Sequence, residues 1–449
     1  MATTASSTLR RVLLRGDNTV FAGRKRLFPQ SRTLLTHPPP KDDSYSFSLI
    51  QSRCPFHPSF LSLRLHSSRT MTSTATVPRK RLDEAGSEDW TIVEGNGAER
   101  GDAVEGSSHK TVIMEEKKSK EDEKKAVPTV YINEKGEPDL YSLRVELKKE
   151  NGETIQLDAV YQDNFPSGSS IGTAVMMHGS PGSHADFKYV TPTLTKEGIR
   201  IIGVNFPGFG YSEDEPSLQH VNTERIAFVE SLVSSLSLKS PIVFVGHSRG
   251  SENALMLAAR NQDTSEGAVM VNPTGLRIHR GTRPHVFFVL LSWLYHTFPI
   301  IRPFLEWGKA FLYNMVGLRV KTGRVAAVAV HTMGSLALHR QEEYMETLQR
   351  SGEKRLLFCY SGDDWIIERE VSQEFEEKIK DKVHIECLTD DPSEEEELTK
   401  KMIESLSPSS SFRAVAAFFH TDNHFLQKHR ANFIAQGIKT ILTTASEKK

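Results

Sequence analysis

The stretch that decides the fold is GHSRG at residues 246–250. An apolar, β-branched run at residues 242–245 precedes it, and the helical pattern ENALMLAA at residues 252–259 follows it. This order predicts a strand, a tight turn and a helix, with Ser248 at the turn. Glycine flanks the serine on both sides because a Cβ atom at either position would clash with the neighbouring strand and helix. The stretch therefore predicts a serine held in a strained main-chain conformation where a strand ends.

Apolar runs of strand length recur on both sides of this turn. Helical patterns separate four of them, which are residues 174–177, 201–204, 242–245 and 268–271. Further strands are predicted at residues 130–132, 143–147, 154–161 and 356–360. Near-continuous apolar strands that alternate with helices are typical of a parallel sheet covered on both faces. The sequence therefore predicts an α/β fold with a mostly parallel, doubly wound sheet in a domain at residues 128–449.

The first 70 residues have the composition of a targeting segment. Residues 1–40 carry seven arginines and lysines against one acid, Asp17, and serine and threonine are frequent. This composition is typical of a mitochondrial transit peptide, whereas a secretory signal would need a continuous apolar run. We therefore predict a transit peptide at residues 1–70 and a mitochondrial location. The alternatives are a disordered basic tail, and a cytosolic product from an internal start at Met71.

The next segment, residues 71–127, is polar and charged, with little apolar periodicity, and predicts a disordered linker. It contains the short motif EDWTIV, in which Trp90 and Val93 are the apolar anchors. The motif resembles those that add a strand to ubiquitin-like proteins of the autophagy type, so one hypothesis is a short-motif partner at residues 90–93. A solitary tryptophan in a disordered tail is the favoured explanation.

The bulk composition excludes several classes of partner and site. Lys and Arg number 56 against 57 Asp and Glu, a formal net charge of −1, so no global field draws the chain to nucleic acid or to an anionic membrane. Three cysteines, Cys54, Cys359 and Cys387, are too few and too scattered for a disulfide framework or a metal site, and they favour a reducing compartment. No apolar run approaches the ~20 residues that a transmembrane helix needs.

Several motifs together resemble the α/β-hydrolase superfamily. The strand, G-x-S-x-G turn and helix around Ser248 are similar to its nucleophile elbow. HGSPGS at residues 178–183 is similar to its H-G-x-P-G-S element, and NFPGFGYS at residues 205–212 is similar to its D-x-P-G-x-G-x-S turn, with Asn205 in place of the acid. The loop at residues 178–189 also resembles a group of uncharacterised α/β-hydrolases described mainly from nematodes.

The resemblance implies a catalytic triad in the chain order Ser, Asp, His, with Ser248 as the nucleophile. DWII at residues 364–367 is similar to the stretch that carries the family's acid, which assigns that role to Asp364. NHF at residues 423–425 is similar to the family's histidine loop, which assigns the base to His424. Each residue alone would be unremarkable, but three in this order on one fold pattern indicate a catalytic site.

Two alternatives stay open for this triad. Asp363 is the other candidate for the acid, and His420 is the other candidate for the base. An acidic, serine-rich insertion at residues 390–411 also leaves two candidates for the last strand, residues 383–388 and residues 414–419. The position of the histidine loop is therefore the least secure part of the triad.

The resemblance also implies two main-chain N–H donors for the oxyanion of a tetrahedral intermediate. One would be the N–H of Arg249, the residue after the nucleophile, and the other that of Ser180, in the loop after the first parallel strand. An arginine is unusual at this position. Its side chain either contacts an anionic group of the substrate or stabilises local structure, and the second interpretation is favoured.

The aromatic-rich insertion at residues 274–350 occupies the place where α/β-hydrolases carry a helical cap over the active site. Ordinary packing of an amphipathic helix is the alternative explanation. Because the insertion is apolar and contains tryptophan, weak contact with a membrane surface is a second interpretation of the cap, although the run lacks a clear basic polar face. The apolar and aromatic composition favours a substrate with a hydrophobic, lipid-like acyl group.

Together these features predict a cofactor-free serine hydrolase that acts on an ester, thioester or amide of a small-molecule or lipid-like acyl group. Epoxide and haloalkane hydrolases are disfavoured, because those relatives have aspartate at the elbow where this chain has Ser248. The rival hypothesis is a non-catalytic binding or scaffold protein with the α/β-hydrolase fold. Such proteins usually lack the nucleophile or the histidine, and this chain has candidates for both.

Overall fold

The computed structural model describes residues 92–94, 110–114, 126–239, 241–315 and 320–446. These residues belong to one compact unit, Ala85–Lys449. The predicted transit peptide, the internal start at Met71 and Trp90 of the short motif lie outside the described residues. Those three remain predictions.

Twelve strands form a single sheet in the described part of the chain. In chain order they are β1 Ile92–Glu94, β2 Lys110–Met114, β3 Thr129–Ile132, β4 Leu140–Lys148, β5 Thr154–Asp163, β6 Thr173–Met177, β7 Arg200–Val204, β8 Ile242–His247, β9 Ser265–Val271, β10 Arg355–Ser361, β11 Lys382–Cys387 and β12 Ala414–Phe419. Across the sheet their order is β1-β2-β3-β4-β5-β7-β6-β8-β9-β10-β12-β11.

Helices cover the sheet and fill the long insertion. In chain order they are α1 Thr191–Lys196, α2 Asn222–Ser235, α3 Arg249–Arg260, α4 His285–Thr297, α5 Arg302–Met315, α6 Gly323–Gly334, α7 Arg340–Arg350, α8 Arg369–Glu377, α9 Pro392–Leu406, α10 Leu426–His429 and α11 Ala431–Ser446. Short 3₁₀ turns occur at His184–Phe187, Arg280–Thr282 and Pro299–Ile301.

The sheet is parallel from β7 to β11, and β1 to β5 form an antiparallel run that joins it through β5 and β7. The central strands are buried on both faces, because alternate side chains enter two separate cores. In β8, for example, Phe244 packs in one core, while Val243 and Val245 pack in the other. The prediction of a mostly parallel, doubly wound α/β sheet is confirmed.

Two features of the sheet differ from the simplest interpretation of the sequence. β1 and β2 lie within residues 71–127, for which the charge pattern predicts a disordered linker. β2 pairs antiparallel with β3, and this pairing uses main-chain hydrogen bonds, which need no apolar side-chain pattern. The two candidates for the last strand both prove to be strands, with β12 inserted between β10 and β11 and helix α9 in the loop that joins β11 to β12.

Helices α4 to α7 occupy the long insertion between β9 and β10. Helix α6 contacts both α4 and α5, whereas α7 packs against α3 beside the sheet. The cap over the carboxyl edge of the sheet is therefore made by α4, α5 and α6. Of the described helices, none by itself is long and apolar enough to cross a membrane.

Candidate active site

The turn at Ser248 has the strained geometry that its sequence predicts. Strand β8 ends at the residue before it and α3 begins at the residue after it, while Ser248 itself has φ 51° and ψ −121°. A positive φ is uncommon for any residue with a Cβ atom, and it marks stored strain. A Cβ atom at Gly246 would collide with the Gly250 carbonyl group, and one at Gly250 would collide with the Met177 carbonyl group. The prediction that both glycines are needed for close packing is confirmed.

A buried aspartate–histidine pair lies at the same edge of the sheet. Asp364 follows β10, His424 follows β12, and His424 Nδ1 lies 2.7 Å from Asp364 Oδ2. The other carboxylate oxygen, Oδ1, accepts hydrogen bonds from the N–H groups of Ile366 and Ile367 at 2.8 and 2.9 Å. Burial alone would raise the pKa of Asp364, but the charge and hydrogen bond of His424 and these two amides together lower it. The carboxylate is therefore ionised and aimed at one nitrogen of the imidazole.

The two alternative residues lie elsewhere. Asp363 is exposed, and its main-chain N–H donates to the Asp422 carbonyl oxygen. His420 is partly exposed, and its Nε2 lies 3.2 Å from Glu386 Oε2, away from the Asp364 carboxylate. Of the four candidates, the structure brings together only Asp364 and His424.

Ser248 and His424 line the same cavity, which has a volume of about 560 Å³. Gly179 and Ser180 of the loop after β6 also line it. Its apolar wall comes mainly from the cap, through Phe287, Phe288, Leu291, Val330 and Met333. The cavity thus joins polar groups on the sheet edge to an apolar space beneath the helices of the cap.

Side chains that the sequence analysis did not single out hold the loop of His424 in place. His247 Nε2 donates to the His424 carbonyl oxygen at 2.9 Å, and Asn272 Nδ2 donates to the same oxygen at 3.0 Å. Ser361 Oγ donates to the Asn423 carbonyl oxygen at 2.9 Å. All three side chains end a parallel strand or directly follow one. Their position at strand ends is the signal that could have identified them, because such residues meet at one edge of the sheet.

The two predicted oxyanion donors both contact helix α6 of the cap. Ser180 Oγ donates to Thr332 Oγ1 at 2.7 Å, since the Thr332 hydroxyl itself donates to the Ala329 carbonyl oxygen. Arg249 Nε donates to the Thr332 carbonyl oxygen at 3.0 Å. Arg249 is the first residue of α3, so its main-chain N–H has no acceptor within the helix. One residue of the cap therefore bonds to the side chains of both candidates.

The Arg249 side chain is fully buried. Its Nη1 lies 2.7 Å from Glu252 Oε2, and the Glu252 side chain is also completely shielded from solvent. Glu252 Oε1 accepts two further hydrogen bonds, from Asn222 Nδ2 at 2.6 Å and from the Ala337 N–H at 3.0 Å. The side chain thus bonds inside the protein, as the interpretation of local stabilisation requires.

Two buried histidines near this edge are held as neutral imidazoles. His178 Nδ1 donates to the Gly179 carbonyl oxygen, while its Nε2 accepts from the Phe206 N–H. His279 lines the cavity, and its Nδ1 donates to the Ile366 carbonyl oxygen at 3.2 Å. Burial lowers the pKa of both imidazoles to about 4.

These pKa values predict that the free energy of unfolding falls as the pH is lowered from about 6.5 towards 4. In this range each histidine is protonated in the unfolded chain and neutral in the folded protein, so the unfolded chain binds more protons. Each fully buried imidazole is expected to contribute a slope of ~1.4 kcal/mol per pH unit. Urea unfolding at several pH values above about 5 measures this slope before most carboxylates protonate.

The substitution His279→Asn provides the control for this slope. The asparagine amide can still donate to the Ile366 carbonyl oxygen, but it does not titrate. The slope of the free energy of unfolding against pH is therefore expected to fall by the contribution of one histidine. Equal slopes for the wild type and for His279→Asn would contradict the prediction for His279.

Among the described residues, no group of three or more His, Cys, Asp and Glu side chains has the geometry to hold a metal ion.

Comparison with known proteins gives the family of the chain. Residues 137–443 match a family described as an alpha/beta hydrolase of unknown function (DUF1057). An uncharacterised protein of Caenorhabditis elegans, F35H12.5, is 30% identical over 307 residues, which cover 66% of this chain and 84% of that protein. The mesoderm-specific transcript protein of Mus musculus is 30% identical over 112 residues, which cover 25% of this chain and 33% of that protein.

Solved structures similar to this chain share little sequence with it. The haloalkane dehalogenase DbeA from Bradyrhizobium elkani is 13% identical, with a TM-score of 0.48, and the match covers 69% of this chain and 99% of that structure. An esterase from Exiguobacterium antarcticum is 15% identical, with a TM-score of 0.41, and the match covers 63% of this chain and 93% of that structure. The family match, which spans more than half of the chain, confirms the resemblance seen in the motifs. The protein belongs to the DUF1057 family of α/β-hydrolases, a family of unknown function.

Proposed function

We propose that the protein is a serine hydrolase that cleaves an ester, thioester or amide with a hydrophobic acyl group. In this proposal Ser248 is the nucleophile, His424 the general base and Asp364 the residue that orients the imidazole. The observation that carries the proposal is the 2.7 Å contact between Asp364 and His424 beside the cavity that Ser248 also lines. The reaction, as proposed, uses no cofactor.

The hydrogen-bonding pattern of the pair supports these roles. An ionised Asp364 accepts a hydrogen bond from the Nδ1–H of His424, so the neutral imidazole has its lone pair on Nε2. Nε2 can then take the hydroxyl proton of Ser248 while Oγ attacks the carbonyl carbon of the substrate. The imidazolium returns this proton to the leaving group when the tetrahedral intermediate collapses to the acyl-enzyme. Water, deprotonated by the same imidazole, then attacks the acyl carbon, and the imidazolium returns the proton to Oγ of Ser248 as the acid leaves.

The oxyanion of each tetrahedral intermediate needs donors that are already in place. The N–H groups of Arg249 and Ser180 are the proposed donors. Helix α6 supports both residues, because Thr332 bonds to both of their side chains. Removing one such donor typically costs ~100–1000-fold in rate.

The composition of the cavity supports a hydrophobic acyl group as the substrate class. Three aromatic and aliphatic side chains of α4 and two of α6 form its wall on the cap side, namely Phe287, Phe288, Leu291, Val330 and Met333. A cavity of about 560 Å³ is within the usual range for small-molecule sites. Burial of an acyl chain against this wall would supply binding energy in proportion to the apolar area removed from water.

The decisive test is labelling of the full chain with a fluorophosphonate probe, which reacts with activated serines. Wild type is expected to be labelled, and Ser248→Ala is expected not to be. A second serine nearby, Ser251 in the first turn of α3, is fully buried and bonds to the Gly246 carbonyl oxygen, so Ser251→Ala serves as the matched control that retains labelling. Folded wild-type protein without labelling would refute the proposal and favour a non-catalytic binding role.

A further inference from the structure

The outer surface of the cap exposes an unusual number of large apolar side chains. On α4 they are Val286, Val289, Leu290 and Trp293, and on α5 and the turn before it they are Ile300, Phe304, Trp307 and Phe311. We call these eight residues the apolar cap face. Ile300 is 90% exposed, Val286 and Phe304 are each 71% exposed, and Trp307 is 67% exposed.

The apolar cap face is ordered along each helix. Its members recur at intervals of three and four residues, which places them on one side of α4 and on one side of α5. Along α5 the rings of Phe304 and Trp307 lie 6.4 Å apart, and those of Trp307 and Phe311 lie 6.1 Å apart. More than half of the exposed large hydrophobic residues in the described chain lie between residues 286 and 311. A monomeric soluble protein rarely exposes so continuous an apolar surface without a partner.

The segment that carries the apolar cap face has more basic than acidic residues. Residues 278–324 contain seven basic residues. Of those whose side chains the structure describes, Arg280, Arg283, Lys321 and Arg324 are exposed and Arg302 is partly exposed, whereas Lys309 is buried and lines the cavity. Arg283 lies 2.6 Å from Glu368 Oε1. The same segment contains one acid, Glu306, whose carboxylate accepts a hydrogen bond from the Tyr295 hydroxyl at 2.7 Å. The whole chain has a net charge of −1, so this positive surplus is local to the cap. A second copy of the chain would present the same positive charge, which opposes docking of two such faces.

The angle between α4 and α5 suits helices that lie on a membrane surface better than helices that cross a membrane. The two helical segments Arg280–Thr297 and Pro299–Phe311 meet at an angle of 111°. Tryptophan and phenylalanine are preferred where a membrane's headgroups meet its acyl chains, and basic side chains favour anionic headgroups. The opposite side of α4 lines the cavity through Phe288 and Leu291, and Phe287 is both exposed and part of the cavity wall.

We propose that the apolar cap face docks on the surface of a lipid bilayer that contains anionic lipid, with α4 and α5 lying in the interface. Docking would place Phe287 and the cavity behind it next to the acyl chains of the bilayer. The docking itself depends only on the cap. The use of the cavity for a lipid-like acyl substrate rests on the proposed hydrolase function.

Flotation of the full chain with vesicles tests the docking. Phosphatidylcholine vesicles with phosphatidylserine are expected to bind the wild type more tightly than phosphatidylcholine alone. The double variant Trp293→Glu/Phe304→Glu is expected to bind ~100-fold more weakly, because burying one large apolar side chain is worth tenfold or more in partition. Phe412→Glu, the same change at an exposed phenylalanine before β12, is the matched control and is expected to bind like the wild type.

Quenching of tryptophan fluorescence by brominated lipids tests which part of the chain meets the bilayer. Trp293 and Trp307 are expected to be strongly quenched in the wild type. The variant Trp293→Phe/Trp307→Phe keeps the apolar cap face and is expected to bind normally while most of the quenching disappears. Binding through the basic residues 1–40 instead would leave quenching in the wild type weak or unchanged by these substitutions, and that result would overturn the proposal.

Two further outcomes would contradict docking on a bilayer. Full chain that does not float with either vesicle, or that forms a dimer which Trp293→Glu converts to monomer, would overturn the proposal and identify a different occupant of the face.

Fluorophosphonate labelling separates this proposal from the hydrolase function. Trp293→Glu/Phe304→Glu is expected to be labelled like the wild type, and Ser248→Ala is expected to float like the wild type. Flotation without labelling would leave the docking intact and refute only the hydrolase.

Discussion

Asp364→Asn is expected to lower kcat for ester hydrolysis by about 10⁴-fold while the protein stays folded. The asparagine Oδ1 can still accept the N–H groups of Ile366 and Ile367, so the side chain keeps its position. Its amide nitrogen would then face Nδ1 of His424 as a donor. The imidazole would then have to carry its proton on Nε2. A protonated Nε2 has no lone pair with which to accept the hydroxyl proton of Ser248. Steady-state kinetics with a soluble activated ester measure this loss.

Asp363→Asn is the matched control for this experiment. It makes the same chemical change at the preceding residue, whose side chain is exposed and lies outside the cavity wall. We expect kcat and KM to stay within about twofold of the wild type, since surface substitutions rarely move more than ~0.5 kcal/mol. A large loss in Asp363→Asn with near-normal Asp364→Asn would assign the acid to Asp363 and contradict the proposed triad.

Glu252→Ala is expected to lower the free energy of unfolding by about 3–5 kcal/mol. Glu252 is fully buried and compensates the buried guanidinium of Arg249, whose Nη1 contacts the carboxylate and whose Nη2 has no hydrogen-bond partner within the described residues. Removal of the carboxylate leaves this cation unpaired and also frees the donors of Asn222 and Ala337. Urea unfolding near neutral pH, followed by circular dichroism, measures the change.

The double variant Arg249→Met/Glu252→Leu is the control for the buried pair. Replacing both charges with apolar side chains of similar size is often neutral or stabilising, so we expect it to be more stable than Glu252→Ala. It also retains the main-chain N–H of residue 249. If Arg249 serves catalysis only through that group, fluorophosphonate labelling should survive in the double variant. Loss of labelling in a folded double variant would instead indicate that the site needs the guanidinium and its hydrogen bond to the Thr332 carbonyl oxygen.

Much of the fold and part of the site follow from short-range patterns. The buried strands are predictable because apolar, β-branched runs that alternate with helices suit a sheet covered on both faces. The elbow is predictable because the positive φ of Ser248 and the contact of Gly246 with Gly250 concern residues that are neighbours in the chain. The contact of Gly250 with Met177 arises because β6 lies beside β8. β1 and β2 were not predicted, because strand pairing uses main-chain hydrogen bonds and needs no apolar pattern in the sequence.

The choice between neighbouring polar residues had no such local physical basis, and Asp364 was preferred to Asp363 only by resemblance to the family motif. Asp363 and Asp364 have the same chemistry and the same local surroundings in sequence, and they differ only in the direction their side chains take from the loop. That direction is set by contact with His424, which is 60 residues away and reaches the loop because β12 lies directly beside β10. The roles of His247 and Asn272 were not predicted for the same reason, because their hydrogen-bond acceptors belong to the distant loop of His424.

The sequence by itself therefore determined the family, the class of fold and the position of the strained serine, because these depend on residues within a few positions of one another. The tertiary structure alone decided which aspartate meets the histidine, where the Arg249 charge is neutralised and which side of the cap helices stays exposed. Each of these depends on the order of strands in the sheet and on the packing of α6 beneath α4 and α5. Residues far apart in the chain become neighbours only through that packing, and no local pattern records it.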